Sequence, residues 1–166
     1  LTKSMFQMMK LTLSVFFLFS FSKGYSQVSL KVKQIDTLVS TINNSTLPVH
    51  KDTLRQDHPE MGLNITTYLS MTVSGKELLK FVNYVITTRT EDGIAQQMTA
   101  SNTFYYDHNN LIKVEEYLIQ DAIKKEANWY YADGKPLYYT LQSDKAESRA
   151  ALLHTMSKSM LKQIIK

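Results

Sequence analysis

Residues 78–86 read LLKFVNYVI, and residues 111–119 read LIKVEEYLI. Leu, Lys, Tyr and Ile coincide at Leu78/Leu111, Lys80/Lys113, Tyr84/Tyr117 and Ile86/Ile119. Alone, the first copy fits a helix: Ser74 and Glu77 make a capping box, and Leu78, Leu79, Val82, Val85 and Ile86 make a stripe. The second copy follows the aromatic run Phe104-Tyr105-Tyr106 and the turn signal Asp107-His108-Asn109-Asn110. It therefore reads as the return strand of a hairpin. The repeat carries the first copy to strand as well, and the middle of the chain becomes a sheet.

Upstream, Leu63, Ile65, Thr67, Leu69, Met71 and Val73 alternate with polar or aromatic residues, the period of a strand with one face buried. Ser74-Gly75-Lys76 supplies its turn. Downstream, Asn128-Trp129-Tyr130-Tyr131 echoes Thr103-Phe104-Tyr105-Tyr106 and runs into the turn Ala132-Asp133-Gly134-Lys135. Three hairpins follow: 63–73 with 77–89, 95–106 with 111–122, and 126–131 with 136–142. Glu91-Asp92-Gly93 and Lys124-Lys125 mark the connections. The pattern loosely resembles the aromatic–turn–Gly/Asn–Leu hairpins of repeat-type bacterial surface proteins.

The flanks read differently. Val28, Val32, Ile35, Leu38/Val39 and Ile42 are spaced as one face of a helix, which Asn43-Asn44 and Pro48 end. Residues 48–62, PVHKDTLRQDHPEMG, read as a polar loop. At the other end Asp144 and Glu147 suggest a cap. Ala146, Ala150, Leu153, Met156/Ser157, Met160 and Ile164 form a stripe, with Lys158, Lys162 and Lys166 toward the C-terminal end. The expected fold is α+β: an N-terminal helix, a six-stranded antiparallel β-meander of three hairpins, and a C-terminal amphipathic helix packed on the sheet. One sheet face is patterned apolar, and the two helices are its available cover.

Residues 5–27, MFQMMKLTLSVFFLFSFSKGYSQ, read as an export signal. Lys10 gives the basic n-region, Leu11 to Phe21 an uncharged apolar run, and Gly24 and Ser26 the small residues of a cleavage site before Gln27. The run is short for a membrane span. The leader resembles those of Bacteroidetes-type bacteria, which often end in a small residue, Tyr-Ser and then Gln. Residues 1–26 are thus expected to be a signal peptide, with initiation at Met9, and 27–166 a single exported domain, periplasmic or extracellular, with no stable membrane span after cleavage. The net charge of +4 falls with the leader: loss of Lys3, Lys10 and Lys23 leaves 16 basic against 15 acidic side chains, or +1. That balance argues against nucleic acid as a partner. The chain has no cysteine, so a disulfide framework, a lipid-anchored Cys and thiol catalysis are all excluded.

No catalytic residue, metal ligand or cofactor is indicated. His50, His58, His108 and His154 stand at no metal-binding spacing, and no G-x-S-x-G elbow or clustered phosphate-binding glycines occur. Glu116 shares a face with Ile112, Val114 and Leu118, as a perturbed buried acid or an edge-protecting charge. The distinctive feature is the aromatic density of residues 104–139. Consecutive aromatics on a strand put rings on both faces. Phe104, Trp129, Tyr131 and Tyr139 are placed inward; Tyr105, Tyr130 and Tyr138 are the outward candidates for a binding platform. The expected function is an exported non-enzymatic binding domain with a protein, peptide or glycan partner. A small periplasmic hydrolase using His50 or His58, and an inhibitor or immunity-type protein, are the alternatives. Asp36-Thr37-Leu38 and Asp52-Thr53-Leu54 also resemble a short O-glycosylation motif of exported Bacteroidetes-type proteins, with Thr53 the more accessible.

Overall fold

The computed structural model describes residues 27–120 and 123–164; the expected leader lies outside them. A helix α1 over residues 27–43 leads into seven antiparallel strands and a last helix. The strands are β1 Val49–His58, β2 Leu63–Ser74, β3 Glu77–Glu91, β4 Ile94–Asp107, β5 Asn110–Gln120, β6 Ile123–Ala132 and β7 Lys135–Tyr139, and the helix is α2 Ala146–Ile164. They form one sheet in the order β1-β2-β3-β4-β5-β6-β7. The α+β class and the antiparallel meander hold, and the segment 77–91 is a strand.

The six expected strands become seven because residues 49–58 are β1, not loop. All ten pair with β2, from Val49↔Thr72 to His58↔Leu63. The strand is exposed almost throughout, so it buries no apolar stripe and carries no hydrophobic period. Backbone pairing makes it a strand, and its charges are those typical of a sheet edge. Gly62 closes the link to β2 at φ +59, where an added Cβ would collide with the Thr90 carbonyl. Its own carbonyl accepts the Thr90 N–H at 2.8 Å. Lys124 and Lys125, expected in a connection, lie within β6.

The sequence repeat is a structural repeat. In each of the three hairpins expected from the sequence the register slips at one residue just past the turn. Thr72 pairs with Lys80 but Val73 with Leu78, leaving Leu79 as a bulge. Tyr105 pairs with Lys113 but Tyr106 with Leu111, leaving Ile112. Tyr130 pairs with Tyr138 but Tyr131 with Pro136, leaving Leu137. A bulge sets two residues of one strand against one of the other and re-aims the side chains. Lys80, Lys113 and Tyr138 are thereby brought to equivalent places on the same face.

That face also corrects the expectation that both helices cover one side. At the turn end of the sheet both faces are apolar. On one, α2 lays Ala146, Ala150 and Leu153 over Leu78, Phe104, Tyr106, Val114, Trp129 and Tyr131. On the other, α1 lays Ile35 and Val39 over Tyr105, Ile112 and Tyr130. The stripe expected on α2 is the one used. Its entry is capped by Ser143, whose Oγ accepts the Lys145 N–H at 3.1 Å, rather than by Asp144.

Candidate functional site

Alternation does place Tyr105 and Tyr130 opposite Phe104 and Trp129, but α1 covers that side. Tyr105 is 2 % exposed and Tyr130 6 %, so the platform expected at these two rings is corrected: they are core. Tyr138 remains 45 % exposed, its ring 5.8 Å from that of Tyr130. The cause is α1, whose docking side no strand pattern reveals.

The hydroxyls of the buried pair enter a polar seam under α1. Lys113, next to the Ile112 bulge of β5, has its Nζ 3.0 Å from Asp36 Oδ1 on α1 and 2.9 Å from Glu115 Oε1. Tyr130 donates its hydroxyl to Asp36 at 3.1 Å, and Tyr105 donates to Glu115 Oε2 at 3.0 Å. Asn43 donates to the Tyr105 hydroxyl, and Lys80 Nζ donates to Asn43 Oδ1 at 2.7 Å. Lys80 and Lys113, the repeated lysines, therefore grip residues 43 and 36, one helical face two turns apart. Each also lies over an aromatic ring, Lys80 over Tyr105 and Lys113 over Tyr130. Burial alone would pull the Lys113 ammonium down; its hydrogen bonds to Glu115 and Asp36 outweigh this and hold it above the usual lysine range. The seam pairs Lys113 with two carboxylates, gives Lys80 an amide oxygen, and fastens α1.

Beyond the end of α1 the same face is open. There Tyr68 pairs with Tyr84, Tyr84 with Ser101, and Ser101 with Tyr117. Residues paired across antiparallel strands share a face, so the three tyrosines form one row across β2, β3 and β5, with Ser101 as a gap. Tyr68 is 41 % exposed, and Tyr84 and Tyr117 are half-buried. The Tyr68 and Tyr84 rings are 6.0 Å apart and tilted, and Lys124 Nζ lies 5.3 Å from the Tyr117 ring centre. Beside Tyr117, the residues Ser101, Thr103, Glu115, Glu126 and Asn128 line a depression of about 300 Å³. Glu126 is itself held by Lys124 at 2.7 Å. The surface offers aromatic rings, hydroxyls and an amide, and its three carboxylates Glu115, Glu116 and Glu126 are paired with Lys113, Arg149 and Lys124.

His50 and His58 sit at the two ends of β1, roughly 26 Å apart at the rise of a strand, so the structure does not bring them together. His58 Nδ1 lies 3.7 Å from Glu60. Among the described residues no group of three His, Cys, Asp or Glu side chains could hold a metal ion, and no helix is long and apolar enough to cross a membrane. Glu116 is neither an edge charge nor unpartnered; from central β5 it accepts Arg149 Nε of α2 at 3.1 Å.

Sequence reasoning missed the tyrosine row, although its signal was present. Tyr84 and Tyr117 are the tyrosines that coincide in the two repeat segments. The registers of β3 and β5 on β4 set these equivalent residues in one row, through Ser101. No protein-family model matches this chain, and comparison with curated proteins and with solved structures likewise yields no significant similarity.

Proposed function

We propose that the protein is an exported, non-enzymatic binding domain that holds a glycan along the tyrosine row Tyr68–Tyr84–Tyr117. The observation that supports this is the row itself: three rings aligned on an open sheet face, bordered by Ser101, Thr103 and Asn128. Tyrosine joins a large apolar ring to a hydroxyl at little entropic cost, which suits it to a surface that grips amphipathic ligands. Sugar rings have that character, with apolar C–H faces and polar rims. A shallow lining of hydroxyls and an amide, whose carboxylates already have basic partners, suits a neutral polymer better than an ionic one. Export rests on the leader read in residues 5–27.

Screening on a glycan array, followed by titration calorimetry with the sugars retained, tests the reading. Tyr84→Ala and Tyr117→Ala should each weaken binding about tenfold or more, as loss of a central aromatic anchor does, while the domain stays folded. Binding that survives both substitutions, or that is lost only in Tyr138→Ala, would overturn it. A protein that binds a peptide ligand through these tyrosines and no glycan would overturn the ligand class and leave the surface standing.

A further inference from the structure

We infer that β1 pairs with β1 of a second copy of this chain, antiparallel about a two-fold axis that sets Leu54 opposite its symmetry mate. The inference is independent of the ligand on the tyrosine row.

Among the described residues β1 is a ten-residue edge strand with nothing beyond it in the sheet. The Thr53 N–H donates to its neighbour Asp52 Oδ1 at 2.7 Å rather than to β2. Backbone groups of a strand point alternately to its two sides, so the odd-numbered residues 51, 53, 55 and 57 present their N–H and C=O groups outward. Such a row is a template for an added strand.

The charges select the added strand. Residues directly opposite across a two-fold axis normal to the sheet lie on the same face, which restricts β1–β1 pairing to registers differing by steps of two residues. With Leu54 at the axis, Lys51 faces Asp57 of the other copy, and Asp57 faces Lys51, so two ion pairs form symmetrically. Arg55 faces Thr53. The neighbouring registers are repulsive: centring on Thr53 sets Lys51 against Arg55, and centring on Arg55 sets two arginines together. Asp57 is already positioned by a hydrogen bond from Asn64 Nδ2 of β2. Edge charges usually block strand addition; in this order they block the neighbouring registers and favour one. The same register brings Leu54, 52 % exposed, against its mate. It thereby joins the row Leu54–Thr67–Val85–Ala100–Leu118, which continues inward across the face that α2 only partly covers. Closed isologous pairing leaves β7, five residues long with Pro136 in it, as the remaining edge, and proline cannot donate to a further strand.

The absence of cysteine from the sequence allows a direct test on protein recovered from cells expressing the full chain. In this register residue 54 occupies a non-hydrogen-bonded pair, with Cα atoms about 4.5 Å apart, inside the range a disulfide spans. Leu54→Cys should cross-link to a covalent dimer under mild oxidation, whereas Thr53→Cys should not. By light scattering over a dilution series, Asp57→Lys and Lys51→Asp should each weaken the dimer about tenfold or more. The double exchange Lys51→Asp/Asp57→Lys should restore it. A protein that stays monomeric throughout the series, a cross-link through residue 53 in place of 54, or a double exchange that fails to restore association each overturns the inference.

Discussion

Lys113 Nζ lies 3.0 Å from Asp36 Oδ1, and through that contact a helix read only as an amphipathic stripe is held on a defined side of the sheet. Asp36 accepts from both Lys113 and Tyr130. Lys113 is the buried member, with Asp36 46 % exposed, so the energy at stake is that of two hydrogen bonds at a part-wet rim rather than of a dry ion pair.

Asp36→Ala should therefore cost about 1–3 kcal/mol, the range for losing hydrogen bonds to a charged group. Lys113 keeps Glu115 as a partner, which keeps the loss below that of stranding a buried charge. Asp36→Asn, which retains an acceptor oxygen, should cost less. Urea unfolding of the two variants checks the order.

Trp129 and Tyr130 are neighbours that face different helices, and each is buried. Both Trp129→Ala and Tyr130→Ala should destabilise by about 3–5 kcal/mol, the range for deleting a buried large aromatic. A Tyr130→Ala protein as stable as the wild type would mean that α1 does not cover this face. Thermal melts of the pair decide it.

Two buried tyrosines on the α2 side make a sharper comparison. Tyr131 donates to the Ala150 carbonyl at 2.9 Å, whereas the buried Tyr106 hydroxyl has only the Ser157 side chain beside it and no hydrogen bond of full geometry. Tyr131→Phe should lose about 0.5–1.5 kcal/mol, the net worth of one hydrogen bond; Tyr106→Phe should cost less or nothing, because the hydroxyl it removes is incompletely paired. Chemical denaturation of the two variants should give clearly unequal shifts in midpoint.

The hairpins were legible because burial and period coincide there. The alternation of residues 63–73 and the echo of 78–86 in 111–119 state which strands exist and which residues share a face. β1 was not legible, since an exposed edge strand is held by backbone bonds that leave no trace in side-chain type. The side taken by α1 was hidden for a related reason. Its stripe says that Ile35 and Val39 must be buried, but only the bulges at Ile112 and Leu137, which turn extra apolar residues and Lys113 toward it, say against what. The tyrosine row was half legible: Tyr84 and Tyr117 announce themselves in the repeat, while Tyr68 joins them only through the register of β2 on β3.

The hydroxyls buried under the two helices also set an alkaline limit on the fold. Tyr105 is pushed up to about 12 by burial, with the Asn43 hydrogen bond opposing and the Glu115 charge adding. Tyr106 is likewise pushed up to about 12 by burial, against the Ser157 hydroxyl beside it. In the unfolded chain tyrosine titrates near 10. Between about 10 and 12 the unfolded chain sheds protons that the folded chain keeps, so the folded state binds more protons and stability falls as pH rises. The contribution is fully present below about 10 and is lost through about 12. Lys113, held above its usual range by Glu115 and Asp36 against the pull of burial, acts with the same sign, since unfolding frees it to deprotonate earlier. In one alkaline titration followed by tyrosinate absorbance and circular dichroism, ionisation of the buried tyrosines should coincide with cooperative loss of the β-signal. Tyr105→Phe should make that loss less steep. All the tyrosines ionising near their free value with the β-signal intact would mean that neither helix seals its face of the sheet.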